Sequence, residues 1–310
     1  MDPLVSICCE VYNHEPYLHD CIEGFLSQKT DFPFEVLIHD DASTDHSAEI
    51  IKEYVNKYPA LIHPLYQTQN QFSQGISIWA TYQFPRAKGK YIALCEGDDY
   101  WTDPLKLQKQ VDILEKDKSI MAVVTNAMTV DRDGHTIHER MNKVVPGNKE
   151  GCYDLHSYFS IGHQYHTANV VFRCDHLEEI IQKTKHTHNR YLGDWSLWAI
   201  LHSYGDFYYL DQVTSAYRIN PTSLTHSWDR IGRAKAHQVI CSSLKDVLPE
   251  EYGKYLEENG WMHFALFKAY FQEKKYIHAA YTLIGCLVKY PGYTWHRLKE
   301  TLQIKHANRN

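Results

Sequence analysis

Short apolar runs alternate with stretches of helical periodicity through residue 125. Apolar runs bounded by polar turns are typical of buried strands, and apolar residues at i, i+3 and i+4 are typical of helices. This alternation predicts an α/β fold with a mostly parallel sheet flanked by helices. The predicted strands are residues 4–9, 35–39, 61–66, 91–95 and 120–125, and the predicted helices are residues 16–28, 44–58, 76–87 and 104–116, the last with Asp103 as N-cap.

The alternation weakens after residue 125, and the last part of the chain has a purely helical pattern. The predicted elements here are a hairpin turn at 130–134, a loop-rich stretch at 147–162, strands at 169–172 and 207–210, a helix at 191–201, and helices from residue 230 to the end. We therefore expect three regions, at residues 1–125, 126–230 and 231–310.

Composition and charge narrow the class of protein. The 310-residue chain has a formal net charge of −6, which argues against a protein that coats nucleic acid. Its eight cysteines form no C-x-x-C pair, which suits a reducing compartment. The first residues show no signal-peptide pattern, and no apolar run reaches transmembrane length. We expect a cytoplasmic protein.

Polar clusters follow three of the predicted strands. Tyr12, Asn13 and His14 follow the first strand, residues 40–45 (DDASTD) follow the second, and residues 95–101 (CEGDDYW) end the fourth. In open α/β sheets, ligands bind at the carboxyl ends of the strands. We therefore expect the three clusters to converge on one rim of the sheet.

The stretch CEGDDYW places three acids, Glu96, Asp98 and Asp99, within four positions. Hard divalent cations prefer carboxylate oxygens, and Mg²⁺ is usually held by one or two carboxylates together with phosphate oxygens. Gly97 allows the sharp backbone turn that would aim neighbouring acids at one ligand. The alternative is a solvated acidic turn. Because the buried strand before them aims Asp98 and Asp99 at the rim of the sheet, we interpret both as contacts for a metal and a sugar nucleotide. Asp41, at the end of the second strand, could accept a hydrogen bond from a nucleobase imide or a ribose hydroxyl.

Three blocks, VSICCEVYNHEPYL, FEVLIHDDASTDHSAEII and KGKYIALCEGDDYWTDPLKLQKQ, resemble in order and spacing the nucleotide-binding half of the family 2 glycosyltransferases, which have the GT-A fold. The resemblance implies that residues 1–125 bind a nucleotide-sugar donor and that residues 126–230 bind the acceptor. It implies that Asp41 binds the nucleobase, that Asp98 contacts the sugar nucleotide and that Asp99 binds Mn²⁺ or Mg²⁺.

Glu96 stands at the first position of the family's D-x-D motif. We assign Glu96, Tyr12, Asn13 and Trp101 to substrate binding.

The segment Tyr191-Leu192-Gly193-Asp194-Trp195 resembles the block in which the family carries its catalytic base. Asp194 could instead be only the N-cap of the helix that follows. An inverting transfer needs one carboxylate that takes the proton of the acceptor hydroxyl, and the resemblance gives that role to Asp194.

Further candidates lie around this block. Arg218 and His226 belong to a segment that resembles a family block near the end of the catalytic core; either could contact the diphosphate, and His226 could complete the metal shell. His166 precedes a predicted strand and could line the acceptor pocket. A zinc site built from His163, His166, His186 and His188 is a weaker alternative, because no zinc-binding motif accompanies these residues.

Residues 261–303 mix aromatic and aliphatic residues with Lys and Arg, and residues 261–310 hold eight basic against two acidic side chains. This pattern fits helices packed on the catalytic core or at a dimer contact. It also fits peripheral contact with an anionic membrane, which would place the protein at the inner face of the plasma membrane. The oligomeric state stays open.

We therefore expect a metal-dependent inverting glycosyltransferase. It would move one sugar from a nucleotide-diphosphate donor, with UDP favoured, to a glycan or lipid-linked acceptor in bacterial surface polysaccharide synthesis. The chain lacks the Q-x-x-R-W motif of processive synthases, which favours addition of a single sugar. Two alternatives are a sugar-phosphate nucleotidyltransferase, which would need a Gly-rich loop after the first strand, and a non-catalytic carbohydrate-binding or scaffold protein on the same fold.

Overall fold

A computed structural model of the chain describes residues 2–141, 144–161, 165–187, 193–220, 229–258 and 260–307. The chain divides into two compact units, Met1–Pro221 and Thr222–Asn310. The division of the first unit into donor and acceptor halves stays a prediction.

The first unit is built on one mixed sheet. Its strands are β1 (Val5–Val11), β2 (Phe34–Asp40), β3 (Ile62–Tyr66), β4 (Tyr91–Glu96), β5 (Tyr100–Trp101), β6 (Ile120–Val130), β7 (Thr136–His138), β8 (Gly151–Tyr153), β9 (Val170–Arg173) and β10 (Asp206–Arg218). The order across the sheet is β3-β2-β1-β4-β9-β6-β10-β5, with β7 paired to β6 and β8 to β10. Strands β1 to β4 are parallel, as is the β6–β10 pair, whereas β9 is antiparallel to both of its neighbours.

Helices flank this sheet. They are α1 (Leu18–Leu26), α2 (Ser47–Lys57), α3 (Lys106–Lys116), α4 (Leu155–Ile161), α5 (Leu177–Thr187) and α6 (Gly193–His202). The central strands are buried on both faces, and α1 and α3 place apolar side chains such as Phe25 and Leu114 in the same core. Each fully buried side chain of this kind contributes about 1.5–3 kcal/mol.

The predicted helix at residues 76–87 is broken into two short pieces. Residues Trp79–Gln83 form one turn of π-helix, and Phe84–Arg86 follow as a 3₁₀ turn. Pro85 has no N–H to donate, so a continuous α-helix cannot run through this position.

Two helices begin later than predicted, and the N-cap residue of neither helix makes a capping hydrogen bond through its side chain. Helix α2 begins at Ser47, and the Ser43 hydroxyl accepts the backbone N–H of Asn13. Helix α3 begins at Lys106, and Asp103 accepts the backbone N–H of Leu105 and the Lys109 ammonium.

The region after residue 125 has more regular structure than its pattern predicts. Strands β6 and β10 extend well beyond the predicted segments, because they pair with each other as far as Val130 and Arg218. The stretch predicted as loop-rich contains β8 and α4. The hairpin turn predicted at 130–134 is confirmed by the antiparallel pairing of β6 with β7.

The second unit is helical, as predicted. Its helices are α7 (Arg230–Lys245), α8 (Glu250–Glu258), α9 (Trp261–Gln272), α10 (Tyr276–Lys289) and α11 (Pro291–Ala307). Helices α7 and α9 meet in a small apolar cluster around Ile231, Ala234 and Ala269. Of the helices that the structure describes, none is long and apolar enough to cross a membrane.

Candidate active site

The carboxyl ends of β1, β2 and β4 lie side by side at one rim of the sheet. Strand register sets Glu10 beside Glu96 and Val11 beside Asp40. The structure therefore brings the three polar clusters identified in the sequence to the same edge, because parallel neighbours in register must end together.

The loops after β1 and β2 are held together by reciprocal hydrogen bonds. The Asn13 backbone N–H donates to Ser43 Oγ (2.9 Å), and the Thr44 backbone N–H donates to Asn13 Oδ1 (2.7 Å). Asn13 and Ala42 both have positive φ, at 57° and 61°, which is costly for residues with a side chain. The predicted contact Asn13 thus uses its side-chain oxygen to order the rim, while Tyr12 beside it is exposed.

Asp41 is buried and binds the backbone of the segment that follows β3. Its two carboxylate oxygens accept the N–H groups of Gln71 (2.8 Å) and Phe72 (3.0 Å). Each carboxylate oxygen has a second lone pair, so this arrangement leaves Asp41 able to accept from a ligand as well.

Asp99 is 1% exposed, yet one of its two oxygens has no protein donor. Oδ1 accepts the backbone N–H of Arg218 (2.9 Å), whereas Oδ2 makes no hydrogen bond and lies 3.7 Å from His166 Nδ1, which is also unsatisfied. Burial, and then the charge of Asp98, raise the pKa of the Asp99 carboxyl well above its ordinary value. Leaving a buried carboxylate oxygen unpaired costs free energy, which points to a ligand outside the protein.

Glu96 and its neighbours crowd several carboxyl groups together at the rim. Burial, and then the charges of Asp98 and Asp194, raise the pKa of Glu96 to about 8. Burial, and then the charges of Glu96 and Asp41, raise the pKa of Glu10 well above its ordinary value. Gly97 permits this crowding, because a Cβ there would lie 2.7 Å from the His14 ring.

Asp194 joins this group from a different part of the chain. It lies in the first turn of α6, is accessible to solvent, and accepts the backbone N–H of Trp195 through Oδ1 (2.8 Å). Protein atoms nevertheless crowd its carboxyl, and this partial desolvation raises its pKa. Because the Asp194 charge acts on Glu96, the two carboxylates share one electrostatic environment.

Arg218 lies beneath the acidic turn, with its guanidinium 2% exposed and bound to the protein on all sides. Nε donates to the Asp98 carbonyl (3.0 Å), Nη1 to the Arg132 carbonyl (2.9 Å) and Nη2 to Asp20 Oδ2 (3.1 Å). Together with its backbone N–H on Asp99, these bonds hold both acids of the Asp98–Asp99 pair. The predicted contact of Arg218 with a diphosphate stays a prediction.

The remaining predicted site residues differ in where they lie. His166 faces Asp99, and burial lowers the pKa of its imidazole to about 4, so the ring is neutral at pH 7. Trp101 lies in the core: it is 3% exposed, its indole N–H donates to the Ala168 carbonyl (3.0 Å), and it packs edge-on against Phe25. His226, His163, His188, Tyr191 and Leu192 lie outside the described residues.

The donor groups at this rim fit a divalent cation. The rim offers oxygen and nitrogen ligands, which suit Mg²⁺ or Mn²⁺. They are the partnerless Asp99 Oδ2, the nearby carboxyl groups of Glu96 and Asp98, and the neutral His166 ring. A bound cation would also relieve the repulsion that raises the pKa of Glu96.

Some polar groups at the rim were not predicted. Glu10 becomes a rim acid only through the strand register, and Asp20 becomes the Arg218 partner only through the tertiary fold. The hairpin turn after β6 brings ligand atoms of Asp131, Asp133 and His135 within 4.8 Å of one another. Its D-x-D-x-H spacing is visible in the sequence, but these side chains are solvent-accessible, and Asp131 Oδ1 already accepts the N–H groups of Asp133 and His135.

Comparison with known proteins gives the chain a family. The sequence matches the family "Glycosyl transferase family 2" over residues 6–181. An uncharacterized protein of Mycobacterium tuberculosis (strain H37Rv) is 47% identical over 114 residues, which are 36% of this chain and 32% of the relative. Chondroitin synthase of Escherichia coli is 33% identical over 141 residues, which are 45% of this chain and 19% of that protein. The chain thus spans less than half of the length of these relatives.

Solved structures share the fold. S. aureus TarS 1–349 in complex with UDP-GlcNAc superposes with a TM-score of 0.59 at 16% identity, covering 86% of this chain and 72% of that one. The mannosyltransferase PcManGT from Pyrobaculum calidifontis, in complex with GDP-Man and Mn²⁺, also has a TM-score of 0.59 at 16% identity, covering 98% and 81%. The GT-A type of fold expected from the sequence is confirmed. Because the family match covers more than half of the chain, the chain belongs to glycosyl transferase family 2.

Proposed function

We propose that the chain is a metal-dependent, inverting glycosyltransferase that moves one sugar from a nucleotide-diphosphate donor to a hydroxyl group of a glycan or a lipid-linked acceptor. The observation that carries the proposal is Asp99 Oδ2, a buried carboxylate oxygen with no protein donor that is surrounded by other acids. A fold does not normally retain such a group unless a ligand completes it.

The acids at the rim divide into two roles under this proposal. Asp98 and Asp99, held by Arg218, would bind the cation and the donor. Asp41 would accept a hydrogen bond from the nucleobase of the donor. When bound, the divalent cation would supply positive charge that stabilises the departing diphosphate.

Asp194 would act as the general base. The acceptor oxygen attacks the anomeric carbon, the bond from that carbon to the diphosphate oxygen breaks, and the acceptor proton passes to the Asp194 carboxylate. Two features support this role: the carboxylate is solvent-accessible, and its raised pKa makes it a stronger base than an ordinary aspartate. One base suffices, in contrast to the paired carboxyl groups of glycoside hydrolases.

The donor and acceptor classes rest on similarity. TarS has been solved with UDP and with UDP-GlcNAc, which supports a UDP-sugar, whereas PcManGT has been solved with GDP-Man. Chondroitin synthase builds a polysaccharide by its name, which supports a role in polysaccharide synthesis.

A thermal-shift panel of UDP, GDP, CDP and TDP, each with and without Mn²⁺, tests donor and metal binding. We expect one nucleotide to raise the melting temperature only when Mn²⁺ is present, because binding to the native state stabilises it. Asp99→Asn should abolish this shift. Asp112→Asn, which removes an exposed acid of α3, is the matched control and should retain it.

Two further variants sharpen the assignment. If Asp133→Asn removes the Mn²⁺ effect and Asp99→Asn does not, the cation binds at the hairpin turn and the proposed metal site is wrong. Asp194→Asn should keep the nucleotide shift and lose the transfer of sugar to the acceptor. A fully active Asp194→Asn enzyme would contradict its role as base, and a protein that no nucleotide stabilises would favour a non-catalytic scaffold.

A further inference from the structure

Helix α10 carries a continuous apolar face that is turned to solvent. Ile277, Tyr281 and Val288 are 73%, 75% and 79% exposed, and Tyr276, Ala280, Ile284 and Leu287 are exposed as well. At 100° per residue these seven positions cover an arc of about 140° on the helix. The arc contains no polar residue apart from the hydroxyl groups of its two tyrosines.

This face is not the one that holds the helix in the fold. Ala279 and Cys286, on the other side of α10, are buried. Thr294 of α11 donates to the Cys286 carbonyl (3.0 Å), and the Tyr270 ring of α9 contacts the tilted His278 ring at 5.3 Å between ring centroids. The unit therefore already buries one side of α10, and the apolar arc is a second surface.

Helix α3 of the first unit differs from α10 in this respect. The exposed positions of α3 are Asp112, Glu115 and Lys116, all of them charged. Scattered exposed apolar residues need no explanation, but a contiguous patch rimmed by polar groups marks an interaction site.

Phe271 extends the apolar arc, and other exposed aromatic and basic residues lie on the same helical unit. Phe271 of α9 contacts Tyr276 edge-on at 5.7 Å between ring centroids, and Trp295 of α11 is 59% exposed with the Lys299 ammonium 5.7 Å from its ring centroid. Lys274 and Lys275 precede α10, and Lys289 is its last residue. The neighbouring Glu273 pairs with Arg230, and this pair adds no net charge beside these lysines.

We propose that this surface, the α10 face, lies on an anionic lipid bilayer, with its apolar side chains at the level of the acyl-chain boundary and its lysines among the headgroups. Helices with aromatic and aliphatic residues on one face and flanking basic residues bind membranes in this way. The 14 residues of α10 span about 21 Å, which is too short to cross a bilayer, so the helix lies in the plane of the membrane.

The basic rim decides between a membrane and a second copy of the chain. In a symmetric dimer formed through the α10 face, Lys274, Lys275 and Lys289 of both copies would be brought together and would repel. An anionic bilayer attracts the same lysines. The inference is independent of the donor and the metal, because it rests on the helical unit alone.

Vesicle cosedimentation of the full chain tests the proposal. We expect binding to vesicles of phosphatidylcholine mixed with phosphatidylglycerol, and much weaker binding to phosphatidylcholine alone. The triple variant Ile277→Gln/Ile284→Gln/Val288→Gln should weaken binding at least about tenfold. Lys274→Gln/Lys275→Gln/Lys289→Gln should weaken it by up to roughly 100-fold at low salt. Val239→Gln, which changes an exposed apolar residue of α7, is the matched control and should bind as wild type.

A second measurement needs no destabilising substitution. Brominated lipids should quench the fluorescence of Trp295 in the wild type, with Trp295→Phe as the reference for the other six tryptophans. Wild-type protein that stays in the supernatant with anionic vesicles overturns the proposal. So does a Val239→Gln variant that binds as weakly as the α10 triple variant, or a dimer that the triple variant dissociates while vesicles bind neither form.

Discussion

Arg173 and Asp99 are buried to a similar degree in the same sheet, at 4% and 1% exposed, but their surroundings are opposite. The Arg173 guanidinium donates to the carbonyls of Leu114, Asp117 and Ile120 and to the Tyr91 hydroxyl. Asp99 has one donor on Oδ1 and none on Oδ2. A buried charge with its hydrogen bonds made is costly to disrupt, whereas a buried acid with an oxygen left without a donor points to a ligand.

The largest expected effect is the loss of activity when the incomplete group is removed. Asp99→Asn keeps the acceptor for the Arg218 N–H but loses the negative charge, so sugar transfer should fall at least about 1,000-fold. The measurement is nucleoside diphosphate release with the donor identified by thermal shift.

The stability of the same Asp99→Asn variant should not fall with its activity. The raised pKa of Asp99 means that the folded state holds the carboxyl proton more tightly than the unfolded state. The wild type therefore loses stability as pH rises through and above the unfolded value, and Asp99→Asn does not. Denaturant titrations near pH 8 should find the metal-free variant as stable as wild type or about 1 kcal/mol more stable. A variant clearly less stable than wild type would show that Asp99 is structural.

Arg173→Met, in contrast to Asp99→Asn, should lower the stability of the fold. It leaves three backbone carbonyls without their donor, so the free energy of unfolding should fall by about 3 kcal/mol or more. Arg132→Met, which removes an exposed cation, is the control and should change stability by less than about 0.5 kcal/mol. Equal stability of the two variants would remove the contrast between Arg173 and Asp99.

Lys106 is a third buried ionisable group, and its lowered pKa should make the stability of the fold depend on pH. It is buried, its ammonium donates to Gln110 Oε1 (2.6 Å) and lies 4.5 Å from the Trp101 ring centroid, and desolvation lowers its pKa to about 7. Between pH 7 and about 10.4 the unfolded state binds a proton that the folded state does not, so stability should rise with pH by up to about 1.4 kcal/mol per unit. Lys106→Met should remove this slope, as measured by denaturant titration across that range. An unchanged slope would show that another group causes it.

The smallest effect is expected at Trp101, which the sequence assigned to substrate binding. Trp101→Phe loses the hydrogen bond to the Ala168 carbonyl and some packing volume, which should cost about 1–2 kcal/mol of stability. Its core position predicts that the KM for the donor changes by less than about twofold. A rise in KM without a loss of stability would instead support direct contact with the substrate.

The periodicity of the chain predicted most of the first unit, because buried parallel strands and amphipathic helices leave local patterns. It failed in two places, one for a local reason and one for a distant reason. Residues 76–87 have helical spacing, but Pro85 interrupts the hydrogen bonds of the helix. Strands β6 and β10 continue past their apolar segments only because each pairs with the other.

The candidate site shows the same division. Spacing identified Asp41, Glu96, Asp98 and Asp99 as acids worth attention, because crowded carboxylates at strand ends are visible in one dimension. Asp194 was identified only because its segment resembles a block of the family. Tertiary structure decided their surroundings. It set Glu10 beside Glu96 through strand register, bound the Arg218 guanidinium to protein on all sides, and left Asp99 Oδ2 without a donor. The physical reason is that hydrogen-bond satisfaction and desolvation depend on atoms from remote parts of the chain, and no local pattern records them.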